Sequence, residues 1–172
     1  MSNRVPGTTT VHDLDWANHG YASHEESGRV YDVKNGTLEH GHRDDEDYAY
    51  VIVDRPAFGD VTGDHTDEAV VRIVVNTGGS GWVDFLSVFT MRDGQPIELG
   101  TIGGGDRGDG GIVSATVLGG DIVVVRNQSQ DGDGACCPSM QLREVWHWTG
   151  KQFVKDESKT TSAPKPKDAV TE

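Results

Sequence analysis

The sequence predicts a mainly β chain: a single antiparallel meander curved into an open barrel or sandwich, with one short N-terminal helix. Three observations point there. Apolar residues make up only 34% of the chain and 23 of its 172 residues are glycine, so the core must be compact and the turns frequent. The apolar segments are short and rich in Val, Ile, Tyr, Phe and Thr, residue types that suit a pleated, half-buried surface. Between them stand Asn35-Gly36, Asp93-Gly94, Gly119-Gly120-Asp121 and Thr149-Gly150. Such turns are far shorter than the crossover of roughly a dozen residues that parallel strands need, so neighbouring strands must run antiparallel.

A chain of 172 residues suits one domain with loose ends. Residues 1–10 are polar with one proline, and residues 155–172, "KDESKTTSAPKPKDAVTE", show no apolar periodicity. Both ends are expected to be disordered, leaving a single mainly β domain over residues 11–154. In "HDLDWANHGY", Asp13 is a candidate cap and Leu14, Trp16, Ala17 and Tyr21 fall near one helical face, which gives the short helix.

Strands are then expected in order. Residues 29–33 and 37–39 flank Asn35-Gly36 as a first hairpin. Residues 48–54 alternate, and Pro56 ends their ladder by removing a donor. Residues 69–75, 82–91 and 96–102 follow, the last two joined through Asp93-Gly94. Residues 113–118, 122–126, 142–148 and 152–154 complete the meander. The hairpins share no fixed period, which argues against a solenoid or a full propeller.

The formal charge of -13 opposes nucleic acid and anionic membrane surfaces, both of which need clustered Lys and Arg. No apolar stretch is long enough for a transmembrane span, and residues 1–20 lack the apolar core of a signal peptide, so the compartment stays open at this level.

One stretch, "FGDVTGDHTDEAVV", places Asp60, Thr62, Asp64 and Glu68 at the odd-numbered spacing of a calcium loop. His65 stands where such loops want glycine, and no bidentate Glu follows at the twelfth position. The competing expectation is a polar turn in which Asp60 and Asp64 accept backbone amides and Gly63 reverses the chain. Calcium is the cofactor this loop would take.

The run "FGDVTGDHTDEAVVRIVVNTGGSG" resembles the "GDLTGDG..EAVV....TGGSG" stretch of LppP/LprE-type bacterial lipoproteins, envelope proteins of unknown activity. "GDGACCPSMQLREVWHWTGKQFV" is similar to that family's vicinal "CCP" followed by a closing hairpin, so the resemblance covers residues 57–154. It implies an extracytoplasmic, non-enzymatic domain, often tethered through a lipidated N-terminal cysteine. Cys136 and Cys137 are the only cysteines here, so that anchor has no counterpart in this sequence.

An adjacent Cys136-Cys137 disulfide would form only in an oxidising compartment, and Pro138 with the preceding glycine-rich loop favours the extended, distorted backbone it needs. Reduced thiols, an intermolecular bridge, a redox switch and zinc remain alternatives, with zinc disfavoured because adjacent cysteines on extended chain point apart. Ser80 in "TGGSG" is a candidate hydrolase nucleophile, although a strand rather than a helix follows it. His40 and His42 could chelate a metal from an acidic loop, Asp44 to Asp47 read as solvated acids, and Arg107-Gly108-Asp109 spells an adhesive tripeptide. Trp146 and Trp148 share one strand face and read as core rather than as a sugar platform.

These readings converge on a non-catalytic extracytoplasmic module that binds an unidentified partner or envelope component through its surface. A calcium-stabilised module and an enzyme, either a Ser80 hydrolase or a vicinal-thiol redox protein, are the alternatives.

Overall fold

A computed structural model describes residues 9–105, 111–134 and 137–166. It is mainly β and antiparallel throughout, in three layers. Two strands, β1 (Gly20–Ala22) and β2 (Val30–Asp32), form a small hairpin. A 6-stranded sheet contains β3 (Thr37–His40), β4 (Ala49–Val53), β5 (Ala57–Gly59), β6 (Glu68–Asn76), β7 (Val83–Arg92) and β8 (Gln95–Gly105). A 5-stranded sheet contains β9 (Ile112–Leu118), β10 (Asp121–Gln128), β11 (Met140–Trp148), β12 (Phe153–Lys155) and β13 (Thr161–Pro164).

The larger sheet is central, and the alternation of β6 explains why. Ala69, Val71, Ile73 and Val75 pack with Val11, Trp16, Tyr21, Tyr31 and Val33 of the N-terminal segment. Val70, one step out of phase, packs with Leu86, Val88 and Ile102 against Ile122 and Val124 of the smaller sheet. A strand apolar on both faces is what a central sheet demands, and "EAVVRIVV" supplies it. The outcome is the sandwich of the two expected alternatives, with the meander divided between two sheets.

Turn chemistry acts as the sequence predicts at Asp93-Gly94, where φ values of 52° and 76° place both residues in the left-handed region and close the β7–β8 hairpin. Asn35 and Gly36 adopt the same conformation, and Lys34 bridges Thr37. The strands beyond that turn nevertheless part company: β2 pairs with β1, and β3 pairs with β4. Val33 is fully buried, and Gly36 donates to the Ala17 carbonyl and accepts from the Val53 amide, which directs the chain between layers.

The expected N-terminal helix is replaced by two 3-10 turns, Val11–Asp13 and Trp16–Asn18. Asp13 reaches back to the Thr10 amide at 2.8 Å instead of capping a forward helix, and the Trp16 indole donates to the Val11 carbonyl at 2.8 Å. Gly20 then enters β1, so too few residues remain for a helix to overcome its nucleation cost.

Residues 155–172 were expected to be disordered, and for residues 155–166 this is corrected. Lys155 ends β12, a 3-10 turn follows over Glu157–Lys159, and β13 pairs with Met140 to Arg143 of β11. An edge strand is held by main-chain hydrogen bonds and needs no apolar periodicity, so composition alone did not reveal it. The edge of β6 is assembled in the same broken manner from β4 and β5.

The glycine run at the end of β8 is fixed by a close approach. A methyl group on Gly104 would overlap the carbonyl oxygen of Asp84, whereas one on Gly103 would meet nothing within 4 Å. Gly104→Ala should therefore cost about 3 kcal/mol through forced strand separation, and Gly103→Ala should stay within about 0.5 kcal/mol of the wild type. Urea unfolding of the two variants checks the contrast, and equal midpoints would contradict it.

Candidate functional site

The acidic loop between β5 and β6 is built from its own amides. Asp60 accepts hydrogen bonds from the amides of Gly63, Asp64 and His65 at 2.6, 3.2 and 2.9 Å. Asp64 accepts from the amide and hydroxyl of Thr66, and those bonds hold its carboxyl below the ordinary range. His65 has φ of 70°, so it makes the sharp turn for which glycine was expected.

Glu68 begins β6 facing inward, fully buried. Its carboxylate accepts from the amides of Val61 and Thr62 at 3.0 and 3.2 Å and from the Thr90 hydroxyl at 3.1 Å, while Thr62 Oγ1 lies 3.5 Å away. Glu68 thus ties the loop to β7 from a buried position. Among the described residues no three His, Cys, Asp or Glu side chains converge as a cation site; the carboxylates of Asp60, Asp64 and Glu68 bond backbone amides and threonine hydroxyls.

The other predicted groups are dispersed. Ser80 is exposed in the turn after β6, with no His or acid hydrogen-bonded to it among the described residues; Asn76 and Arg43 instead bind the neighbouring Gly81 and Gly79 carbonyls. His40 pairs with Asp47 at 3.0 Å, while the amide of His42 donates to Asp45. Trp148 packs on Phe153 with centroids 4.8 Å apart, and Trp146 borders the same inter-sheet core. Cys137 is disulfide-bonded. Cys136 and the Arg107-Gly108-Asp109 tripeptide lie outside the described residues.

A site the sequence reading did not single out lies at the open mouth between the sheets. Arg126, on the inward face of β10, donates through Nε and Nη2 to Glu144 Oε2 of β11 at 3.1 and 2.9 Å. The same guanidinium donates to the carbonyls of Gly104 and Gly103 on β8, at 2.6 and 2.8 Å. Trp146 Nε1 completes the set on Glu144 Oε2 at 3.1 Å. Both charged side chains are about nine-tenths buried, 10% and 6% exposed. Above them opens a cleft of about 400 Å³ whose rim includes Gln128, Ser129 and Leu142.

A second, partly buried ion cluster stands on the central sheet, with Asp84 its one buried member. Arg72 bonds Asp54 at 2.9 Å and Asp84 at 3.0 Å, and Asp84 also accepts from the Ile112 amide at 2.6 Å. Burial opposes the Arg72 charge, but the bonds to Asp54 and Asp84 outweigh it and hold its pKa above the ordinary value. The signal for the first pair was in the sequence: Arg126 shares the inward phase of Ile122 and Val124, and Glu144 that of Trp146 and Trp148.

Comparison with protein-family models, curated proteins and solved structures gives no match to this chain. Among the described residues, no helix is long and apolar enough to cross a membrane.

Glu68 makes the turn pH-sensitive in a defined direction. Burial, only partly offset by the Val61 amide and Thr90 hydroxyl, raises its pKa above the ordinary 4.5. A raised carboxyl favours the protonated fold, so its contribution is fully present below pH 4.5 and is lost as the pH climbs through the raised value. Glu68→Gln keeps an acceptor for both amides without a charge. Urea unfolding across pH should show the wild type losing stability relative to Glu68→Gln as the pH rises; a constant difference would contradict the assignment.

The capped loop also predicts that calcium leaves the melting midpoint where a chelator leaves it. A rise with calcium would instead show that the ion binds the folded state.

Proposed function

We propose that the protein is a non-catalytic extracytoplasmic binding module, similar in kind to the LppP/LprE-type envelope lipoproteins, that takes a partner or envelope component in the cleft at the mouth of its sandwich. The observation that carries this reading is the chemistry of that cleft. Its two ionisable side chains, Arg126 and Glu144, are bound to one another and to fixed carbonyls. What remains toward solvent is shape, the apolar Leu142, the indole of Trp146 and the uncharged polar groups of Gln128 and Ser129. Such a surface recognises by fit and hydrogen bonding, and offers no proton-transfer pair aimed at a reacting atom.

The disulfide at Cys137 supports the compartment, because such bonds persist where the environment is oxidising. The resemblance adds to it: the "GDVTGD" loop and the "TGGSG" turn bracket β6, and "CCP" leads into β11.

Ser129 is exposed at the cleft rim, so Ser129→Trp should fill the mouth without disturbing the core. Immobilised wild-type protein should retain a component of a detergent-solubilised envelope fraction that Ser129→Trp fails to retain. Equal retention by both would remove the cleft from the account. Intact mass should rise by two hydrogens on reduction under denaturing conditions, and an unchanged mass would indicate free thiols and weaken the extracytoplasmic assignment.

A further inference from the structure

We infer that the cleft at the mouth of the sandwich binds an uncharged saccharide, with the indole of Trp146 as its stacking face and Glu144, Gln128 and Ser129 as its hydrogen-bonding partners. The inference rests on the binding-module reading above and names the chemistry of the ligand. Trp146 and Trp148 share the inward face of β11, and their surroundings divide them. Trp148 spends its ring on Phe153, with centroids 4.8 Å apart. Trp146 packs against the same core, yet it is only partly buried and lines the cleft. Its Nε1 donates to Glu144 Oε2 at 3.1 Å, which fixes the ring and leaves the remainder of it as apolar surface.

The polar atoms around that ring are held in place and only partly used. Glu144 commits Oε2 to Arg126 and Trp146. Its Oε1 accepts no hydrogen bond among the described residues, and the nearest cation, Lys155 Nζ, stands 3.7 Å from it and 3.0 Å from Glu157. Gln128 lies on the same face of β10 as Arg126 and lines the cleft. Its Oε1 accepts from the Ser162 hydroxyl at 2.7 Å, which leaves Nε2 as a donor. Ser129 adds a hydroxyl at the exposed rim that can both give and accept.

A guest must therefore offer a donor to Glu144, an acceptor to Gln128 and an apolar face to Trp146, and it must carry no net charge. An anion would meet the Glu144 oxygen in a chain of formal charge -13, and a cation would meet Arg126 and Lys155. An extended peptide would seek the main chain of β8, but Arg126 already holds the carbonyls of Gly103 and Gly104. A fatty chain would leave the carboxylate and the amide without partners. A pyranose ring meets every condition, because each hydroxyl both donates and accepts while the C–H groups of one face form an apolar patch that fits an indole. The cleft of about 400 Å³ lies toward the small end of ligand sites, which suits a short stretch of a glycan.

Isothermal titration of the full chain tests this with linear, uncharged hexasaccharides of glucose, mannose, galactose and N-acetylglucosamine, beside an anionic hexamer of galacturonic acid and a cationic hexamer of glucosamine. At least one uncharged probe should bind, and both charged hexamers should bind about tenfold or more weakly than it. Gln128→Leu should weaken that probe about tenfold through the lost donor, and Ser129→Trp should abolish its binding, both with wild-type circular dichroism. Failure of every uncharged probe, or tightest binding of a charged one, overturns the saccharide. If Ser129→Trp then still fails to retain the envelope component that the wild type retains, the binding module outlives that result. A probe held equally by the wild type and both variants also overturns the inference, because the sugar would then sit outside the cleft.

Discussion

Arg126 enters the space between the sheets from β10 and gives its guanidinium to both of them: to Glu144 within the smaller sheet and to the Gly103 and Gly104 carbonyls at the edge of the central one. The sheets otherwise meet through apolar packing of Val70, Leu86, Val88 and Ile102 on Ile122 and Val124, which is strong but has no direction. A buried charge must have its partners or it costs several kcal/mol, roughly the stability of a small domain's margin. The Arg126 network therefore contributes little attraction beyond the core but fixes where the smaller sheet sits relative to β8.

Several features follow from that placement. Gly104 offers its carbonyl to Arg126 on one side while its α-carbon lies against the Asp84 backbone on the other, so no side chain fits. Asp84, anchored by Arg72, receives the Ile112 amide at the start of β9 and so sets where the smaller sheet begins. The cleft exists because the two sheets are held apart at this end by a guanidinium and an indole rather than closed by aliphatic side chains. At the other end, Glu68 joins its loop to Thr90 in the central sheet, and Val61 from that loop enters the inter-sheet core.

Much of the fold was legible because local chemistry and global packing agree. The positions of β4, β6, β7, β8, β10 and β11 follow from runs of β-branched and aromatic residues, and Asp93-Gly94 closes its hairpin as that dipeptide requires. Where a tertiary partner decides, the sequence was silent or misleading. Asn35-Gly36 made its turn, but β2 and β3 went to different sheets because Val33 and Gly36 had better partners elsewhere. The tail after Lys155 is ordered by the backbone of β11, which leaves no mark on side-chain periodicity. At the site, the acidic loop was visible as a string of carboxylates, but which amides those carboxylates face depends on the left-handed turn at His65. Arg126 and Glu144 were legible in principle as charges in the apolar phase of two strands, and only their adjacency across β10 and β11 gives them meaning.

The central claim is that Arg126 and Glu144 act as one unit that positions the smaller sheet on β8, and a double-mutant cycle on unfolding free energy tests it most directly. Arg126→Met leaves buried Glu144 with only Lys155 as a cationic partner, 3.7 Å from its Oε1, and Glu144→Leu removes the only carboxylate paired with Arg126 among the described residues; each should cost about 3–5 kcal/mol, whereas the double variant should recover a large part of that loss. Losses that simply add in the double variant would contradict the account, because the two side chains would then be acting independently.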